Sequence, residues 1–315
     1  MQHKHNVHSW QWVRARAIGT AHMRYNIECQ DFVICRKIAT STNSILAAVV
    51  SDGAGSVPRA ARGAKVTCQS LIRAIRNYFQ EDTTTQQENL DTIDEDIIRG
   101  WIDEIRVRLT QISIQEQRSL HDYSATLVAV LANHKSALVI HIGDGAAVVR
   151  TQGSQEWYVP SWPFHGIYAS MTVFVTSCDF EQYLRIIRLP MPLDRIAVFS
   201  DGLEHLVLDH VKKCAHIPFF DKIFKPLEAS DLIGHHYMLS DRLKHYLASD
   251  NVCQYTHDDT SLILACYSAS ETSKTKTRTY LTFKWLASKQ YKEQEHQKNK
   301  KFLWKNKRYK KRKQK

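Results

Sequence analysis

The period of hydrophobic and polar positions changes repeatedly along this chain, and each change marks an element. Trp10 to Ala17 alternates around its tryptophans and small apolar residues, the two-residue period of a half-buried strand. Phe32 to Ile38 and Ser44 to Val50 read as two further strands, joined by the turn-rich Thr40-Ser41-Thr42-Asn43. Pro58 opens a helix whose Ala60, Ala64, Thr67, Leu71, Ala74 and Tyr78 fall on one face. The polar stretch from Glu81 to Glu88 reads as a loop. A second amphipathic helix follows, with Ile93, Ile97, Trp101, Ile105, Leu109 and Ile112 as its stripe. Strand patterns return at Ala125 to Ala132, Ser136 to Ile142, Ala146 to Arg150, Arg195 to Phe199 and Leu262 to Cys266. Glu204 to Ser249 reads as mostly helical, broken at Pro218 and Pro226. Strands, then two helices, then strands with hairpin-length links predict an α+β fold with antiparallel sheets rather than a parallel βαβ array.

Composition narrows the class. With 43% hydrophobic and 24% charged residues in 315, the chain is too apolar for a disordered protein and long enough to bury a sizeable core. No apolar run approaches the ~20 residues of a membrane helix, and the N-terminus lacks the apolar stretch of a secretory signal. Seven scattered cysteines with no CxxC pair argue against a disulfide framework or structural zinc and for a reducing, cytoplasmic setting. The formal charge of +11 is uneven: residues 284–315 hold 14 Lys and Arg against two Glu, a net of +12, and the preceding residues sum to −1. We therefore expect a domain over residues 1–268 and a basic extension over 269–315. That extension is either a solvated tail or an anchor for nucleic acid, an anionic membrane or an acidic protein. Phe302, Trp304 and Tyr309, interleaved with its lysines, favour a binding role.

The candidate chemistry lies in the aspartates. Asp52, Asp144 and Asp201 each follow an apolar run and precede a glycine, and Asp258-Asp259 stand directly before the last strand. A single Asp-Gly after a strand is usually a turn. Four strand ends that present carboxylates are harder to explain so, because like charges brought together need compensation, which hard divalent cations with oxygen ligands supply.

These residues fall into a known order. Gly19-Thr20-Ala21-His22 with Cys29-Gln30-Asp31, Val50-Ser51-Asp52-Gly53-Ala54-Gly55, Ser124-Ala125-Thr126, His141-Ile142-Gly143-Asp144-Gly145, Phe199-Ser200-Asp201-Gly202-Leu203 and Asp258-Asp259-Thr260-Ser261 together resemble the metal-dependent protein phosphatases of type 2C, and most of all their bacterial branch. Gly166-Ile167-Tyr168-Ala169 also resembles a linker of bacterial members. The resemblance covers roughly residues 10 to 268. It implies a four-layer αββα sandwich and a centre of two Mn2+ or Mg2+ ions, with a weaker third position. On that pattern Asp52 bridges both ions with the Gly53 carbonyl on one of them. Asp201 and Asp258 complete the first site, Asp31 supports the second, and Asp144 with Asp201 matches the third. It implies hydrolysis of phosphoserine and phosphothreonine by attack of a metal-bridging water, with Asp52 and Asp201 as the central carboxylates and no covalent nucleophile. Cys29 lacks the phosphate loop of cysteine phosphatases and reads as packing.

An anionic substrate also calls for a cation from the protein. Arg24 is the candidate phosphate clamp, with Arg14 and Arg16 as competitors; the arginine of the eukaryotic pattern falls near Asn26. Two departures stand out. Ala54 replaces a histidine that protonates the leaving alkoxide in eukaryotic relatives, which leaves water or His22, and His22 reads first as a hydrogen-bonded structural residue. Gln30 stands where many relatives carry Glu. The leading expectation is a cytoplasmic phosphoprotein phosphatase in signal transduction, paired with a Ser/Thr kinase. The rival is a catalytically weak or inactive binding module whose basic tail docks an acidic partner or nucleic acid. The intact Asp31, Asp52, Asp201 and Asp258 favour the enzyme.

Overall fold

A computed structural model describes residues 9–40, 43–81, 90, 93–164 and 172–268. The linker motif at 166–169, the predicted loop beyond Glu81 up to Glu88 and the basic extension lie outside the described residues.

In chain order the described residues form β1 (Ser9–Ala17), α1 (Thr20–Tyr25), β2 (Phe32–Ala39), β3 (Ser44–Ser51), α2 (Ala60–Glu81), α3 (Glu95–Gln115), β4 (Leu127–Ala132), β5 (Ala137–Ile142), β6 (Ala146–Thr151), β7 (Trp157–Ser161) and β8 (Arg185–Leu189). Then come β9 (Leu193–Phe199), α4 (Glu204–Val207), β10 (Leu208–Asp209), β11 (Cys214–Ala215), α5 (Ile217–Ile223), α6 (Lys225–Glu228), β12 (Gly234–His235), α7 (Tyr237–Leu247), α8 (Asp250–Cys253) and β13 (Thr260–Ser268).

One sheet runs β12-β1-β13-β9-β6-β7 and the other β2-β3-β4-β5-β8, with only β1 and β12 parallel within them. Alternation along the strands explains the layering. In β3, Leu46, Ala48 and Val50 face a core shared with Trp10, Val149, Ile196 and Ile263 of the other sheet. Ile45, Ala47 and Val49 face the opposite way, onto Cys68, Leu71 and Ile75 of α2 and Trp101, Ile105 and Leu109 of α3. The outer face of the first sheet, through Phe199, Leu262 and Leu264, packs on Phe220 and Phe224 at α5 and on Leu243 and Leu247 of α7. The result is the expected αββα arrangement. Each fully buried aliphatic side chain contributes about 1.5–3 kcal/mol relative to exposure, so the central strands β3, β4, β5 and β6, buried along nearly their whole length, are anchored on both faces.

The details depart from the sequence reading in places. Ile97 is only partly buried and Ile98 turns inward, because a spacing of four residues drifts off a 3.6-residue helix. Asp94 caps α3 by accepting from the Asp96 N–H at 3.1 Å. Pro218 and Pro226 stand in the first turns of α5 and α6, where a missing N–H costs nothing, so they start helices rather than break one. The segment from Glu204 to Ser249 also contains the two-residue strands β10, β11 and β12.

Candidate metal centre

Strand register alone brings the aspartates together. In one sheet Ala146 and Leu262 both pair with Phe199, so Asp144 before β6, Asp201 after β9 and Asp258-Asp259 before β13 leave the sheet at one end. In the other, Phe32 pairs with Ser51 and Val50 with Val128, which places Asp31, Asp52 and Thr126 at a common end. Because the two sheets share a core, these ends meet.

Asp52, Asp144 and Asp201 are half-buried, and one carboxylate oxygen from each lies within 4.8 Å of the others. Desolvation by the packed protein is the largest cause of their altered acidity. It pushes Asp52 well above the ordinary aspartate range, with the charges of Asp31, Asp201 and Asp258 adding to it. Asp201 rises to about 8, through burial and then Asp144 and Asp258. Asp31 is completely buried and rises to about 6, burial again leading. Asp258 itself is exposed, at the solvent edge of the group, yet near enough to act on both Asp52 and Asp201.

Asp52 and Asp31 are held from behind, the first through its main chain and the second through its carboxylate. Thr126 does this for Asp52: its Oγ1 accepts from the Asp52 N–H at 3.0 Å, and its own N–H donates to the Asp52 carbonyl at 2.8 Å. Ser200 Oγ donates to Asp31 Oδ2 at 2.7 Å and accepts from the Ser261 N–H at 3.1 Å. Gly53 and Gly202 are required by close approach. A Cβ on Gly53 would lie 2.5 Å from the Ala60 backbone, and one on Gly202 would lie 1.9 Å from the Asp259 carbonyl. Gly53 N–H donates to the Gln30 carbonyl at 3.3 Å, tying the second motif to the first.

Sequence reasoning passed over three supports. Asp259, 2% exposed, accepts from Gly19 N–H at 2.7 Å and Gln30 N–H at 2.5 Å, and its Oδ2 lies 3.0 Å from His22 Nδ1. It clamps both halves of the first motif, and His22 completes the clamp. Arg185 on β8 donates to the Gly143 carbonyl at 2.9 Å and to the Trp162 carbonyl. Burial lowers it to about 10 while the charge of Asp144 opposes that fall. Ser200 is the third. The only signal for it was its place inside Phe199-Ser200-Asp201-Gly202.

The remaining sequence candidates take the following places. Arg14 donates to the Val33 carbonyl at 2.8 Å, and Arg16 donates to the Asp31 and Cys29 carbonyls, so both are committed to main chain. Arg24 is exposed on the last turn of α1, with no ion pair among the described residues. Asn26 caps that helix at φ 55°, a left-handed conformation Asn tolerates better than arginine does. Cys29 rises to about 12, through burial first and then Asp31 and Asp259, so its thiol stays protonated and donates to the Ala17 carbonyl.

The donor set fits hard divalent cations. Asp31 and Asp201 each keep a buried Oδ1 that has no hydrogen-bond partner among the described residues. All candidate ligands are oxygens, without the His or Cys that zinc prefers. Carboxylates pressed this close stay ionised only beside positive charge, of which Arg185 supplies some beside Asp144.

A family model described as protein phosphatase 2C matches residues 18–248. Serine/threonine-protein phosphatase 3 of Escherichia coli (strain K12) is 28% identical over 267 residues, covering 82% of this chain and 99% of that protein. Among solved structures, the serine/threonine phosphatase Stp1 of Staphylococcus aureus aligns with a TM-score of 0.52 at 17% identity, over 85% of this chain and 100% of that one. The catalytic domain of the serine threonine protein phosphatase PstP in complex with two manganese ions aligns at a TM-score of 0.53 and 14% identity, over 84% and 100%. At these identities the structural matches speak for the fold.

Proposed function

The chain belongs to the protein phosphatase 2C family, and from that premise we propose that it hydrolyses phosphoserine and phosphothreonine in proteins at the aspartate centre. The observation that carries this is the convergence of Asp52, Asp144 and Asp201 within 4.8 Å at the shared end of the two sheets. Asp52, Asp201, Asp258, Asp31 and the Gly53 carbonyl would hold two manganese or magnesium ions, and Asp144 with Asp201 a weaker third. When bound, such ions activate water and neutralise phosphoryl charge, which supplies the main catalytic terms for a monoester.

The chain's own residues then hold, orient and admit. Thr126 fixes the main chain from which the Asp52 carboxylate projects, and Ser200 holds the Asp31 carboxylate itself, which limits reorganisation as charge develops. Ala54 has no ionisable proton and His22 Nδ1 lies 3.0 Å from Asp259, a structural position, so we assign protonation of the leaving alkoxide to solvent. Arg24 is free to meet a phosphate, whereas Arg14 and Arg16 are committed to carbonyls, and it keeps the role of clamp. The phosphatase domain covers residues 1–268. The +12 extension that follows docks a polyanion or an acidic protein, and the enzyme works in the cytoplasm against a Ser/Thr kinase. Among the described residues no helix is long and apolar enough to cross a membrane.

The test is release of phosphate from a phosphothreonine peptide by full-length protein with manganese and after chelation. Turnover that depends on the metal supports the reading. Metal-loaded, folded protein with no turnover overturns it.

A further inference from the structure

One strongly charged cleft lies outside the aspartate centre. Between residues 53 and 80 the chain has five basic residues and no Asp or Glu, in a domain that is otherwise near neutral. Arg62, Lys65, Gln69 and Arg73 are exposed and spaced three or four residues apart, so they line one face of α2. Like charges at that spacing weaken a helix by a few tenths of a kcal/mol per pair. The opposite face of α2 is fully engaged by the five-stranded sheet, so packing does not account for the row.

That face forms one wall of a cleft of about 490 Å³, lined also by Arg16, Arg108 and Glu28 and floored by Phe32. Glu116 neutralises part of the row by pairing with Arg59 and Arg62. Lys65 and Arg73 have no carboxylate partner among the described residues, and Arg108 bonds only the neutral Gln111 at 3.3 Å. Arg16 joins the cleft to the centre. Its guanidinium donates to the Asp31 carbonyl and lies 5.4 Å from the centre of the Phe32 ring.

We propose that this cleft is a docking site for an acidic segment of the phosphoprotein substrate, flanking the residue to be dephosphorylated. The proposal rests on the phosphatase reading and names the substrate class it selects. A peptide whose phosphoryl group sits at the aspartates must lead its neighbouring residues away, and the Arg16–Phe32 edge opens onto the row of cations. Sign excludes the chain's own basic extension as occupant. A nucleic-acid backbone carries charge at every step and would have to run past the carboxylates, whereas a peptide carries charge only where its sequence puts it. The volume suits a few side chains.

The test compares two phosphothreonine peptides, one flanked by glutamates and one by glutamines, with p-nitrophenyl phosphate as a substrate too small to reach the cleft. Full-length wild type, Lys65→Glu/Arg73→Glu and Lys65→Gln/Arg73→Gln are assayed, so the basic extension contributes equally to each. We expect wild type to show a KM about ten-fold lower for the acidic peptide, falling to no difference in the Glu variant and an intermediate one in the Gln variant. kcat and p-nitrophenyl phosphate turnover stay unchanged. Equal KM values in wild type, or a preference that survives both variants, overturns the docking site. If wild type turns over none of the three substrates, the phosphatase reading fails instead. Fluorescence anisotropy of the unphosphorylated acidic peptide then still decides: weaker binding by the Glu variant supports the cleft, and unchanged binding overturns it. A single-stranded RNA that displaces the peptide and is itself weakened by the same variant overturns the assignment to peptide.

Discussion

Ser200 Oγ donates to Asp31 Oδ2 at 2.7 Å and so joins the end of β9 in one sheet to the start of β2 in the other. Asp31 is wholly buried, and its other oxygen has no hydrogen-bond partner among the described residues. Ser200→Ala removes that donor and also the acceptor of the Ser261 N–H. We expect a loss of about 1–3 kcal/mol in urea unfolding and weaker manganese binding by calorimetry. Unchanged stability and affinity would mean that the link is incidental.

The clamp at Asp259 permits a sharper comparison. Asp259→Ala strips the acceptors from the Gly19 and Gln30 N–H groups, whereas His22→Ala leaves both in place. Asp259→Ala should therefore cost more, about 2–4 kcal/mol against about 1 for His22→Ala, and the double variant should be little worse than Asp259→Ala alone. Thermal and urea melts of the three variants check this. Strict additivity would show that the two residues act separately.

How much of this was legible in the chain depends on what each residue's neighbours dictate. The central strands β3, β4, β5 and β9 and the helices α2 and α3 are written in long apolar patterns, and the aspartates at strand ends stand out for the same reason. β7 and β8 end their sheets, are five residues long and carry Pro160 or two arginines, so their pattern is diluted where one edge lacks a partner. Asp258 and Asp259 show a second limit. Adjacent residues point apart, so one reaches the solvent edge of the centre and the other the interior, and sequence alone does not say which. Arg185 and Ser200 act through long-range contacts to Gly143 and Asp31, which no local window contains.

The aspartate centre also fixes how stability responds to pH. Asp31 rises to about 6 and Asp201 to about 8 from an ordinary 3.8, and Asp52 rises as well, burial leading in each case. Between these values the folded, metal-free protein holds protons that the unfolded chain has released. Its stability therefore falls as pH rises from about 4 to about 8. Melting of chelated protein should give a higher Tm near pH 5.5 than near pH 8, and manganese should raise the value most at about pH 8. A chelated protein that gains stability over this interval contradicts the picture of crowded carboxylates.

The central claim is that the aspartates gathered at the sheet ends carry phosphate-ester hydrolysis. It is tested most directly by the rate of phosphothreonine-peptide hydrolysis with manganese, for wild type against Asp201→Asn at matched folded concentration. The substitution keeps the shape of the side chain but removes one of the three charges that meet within 4.8 Å. We expect kcat/KM to fall by about two orders of magnitude or more, with the fold intact by circular dichroism. An Asp201→Asn protein that retains wild-type turnover would contradict the account.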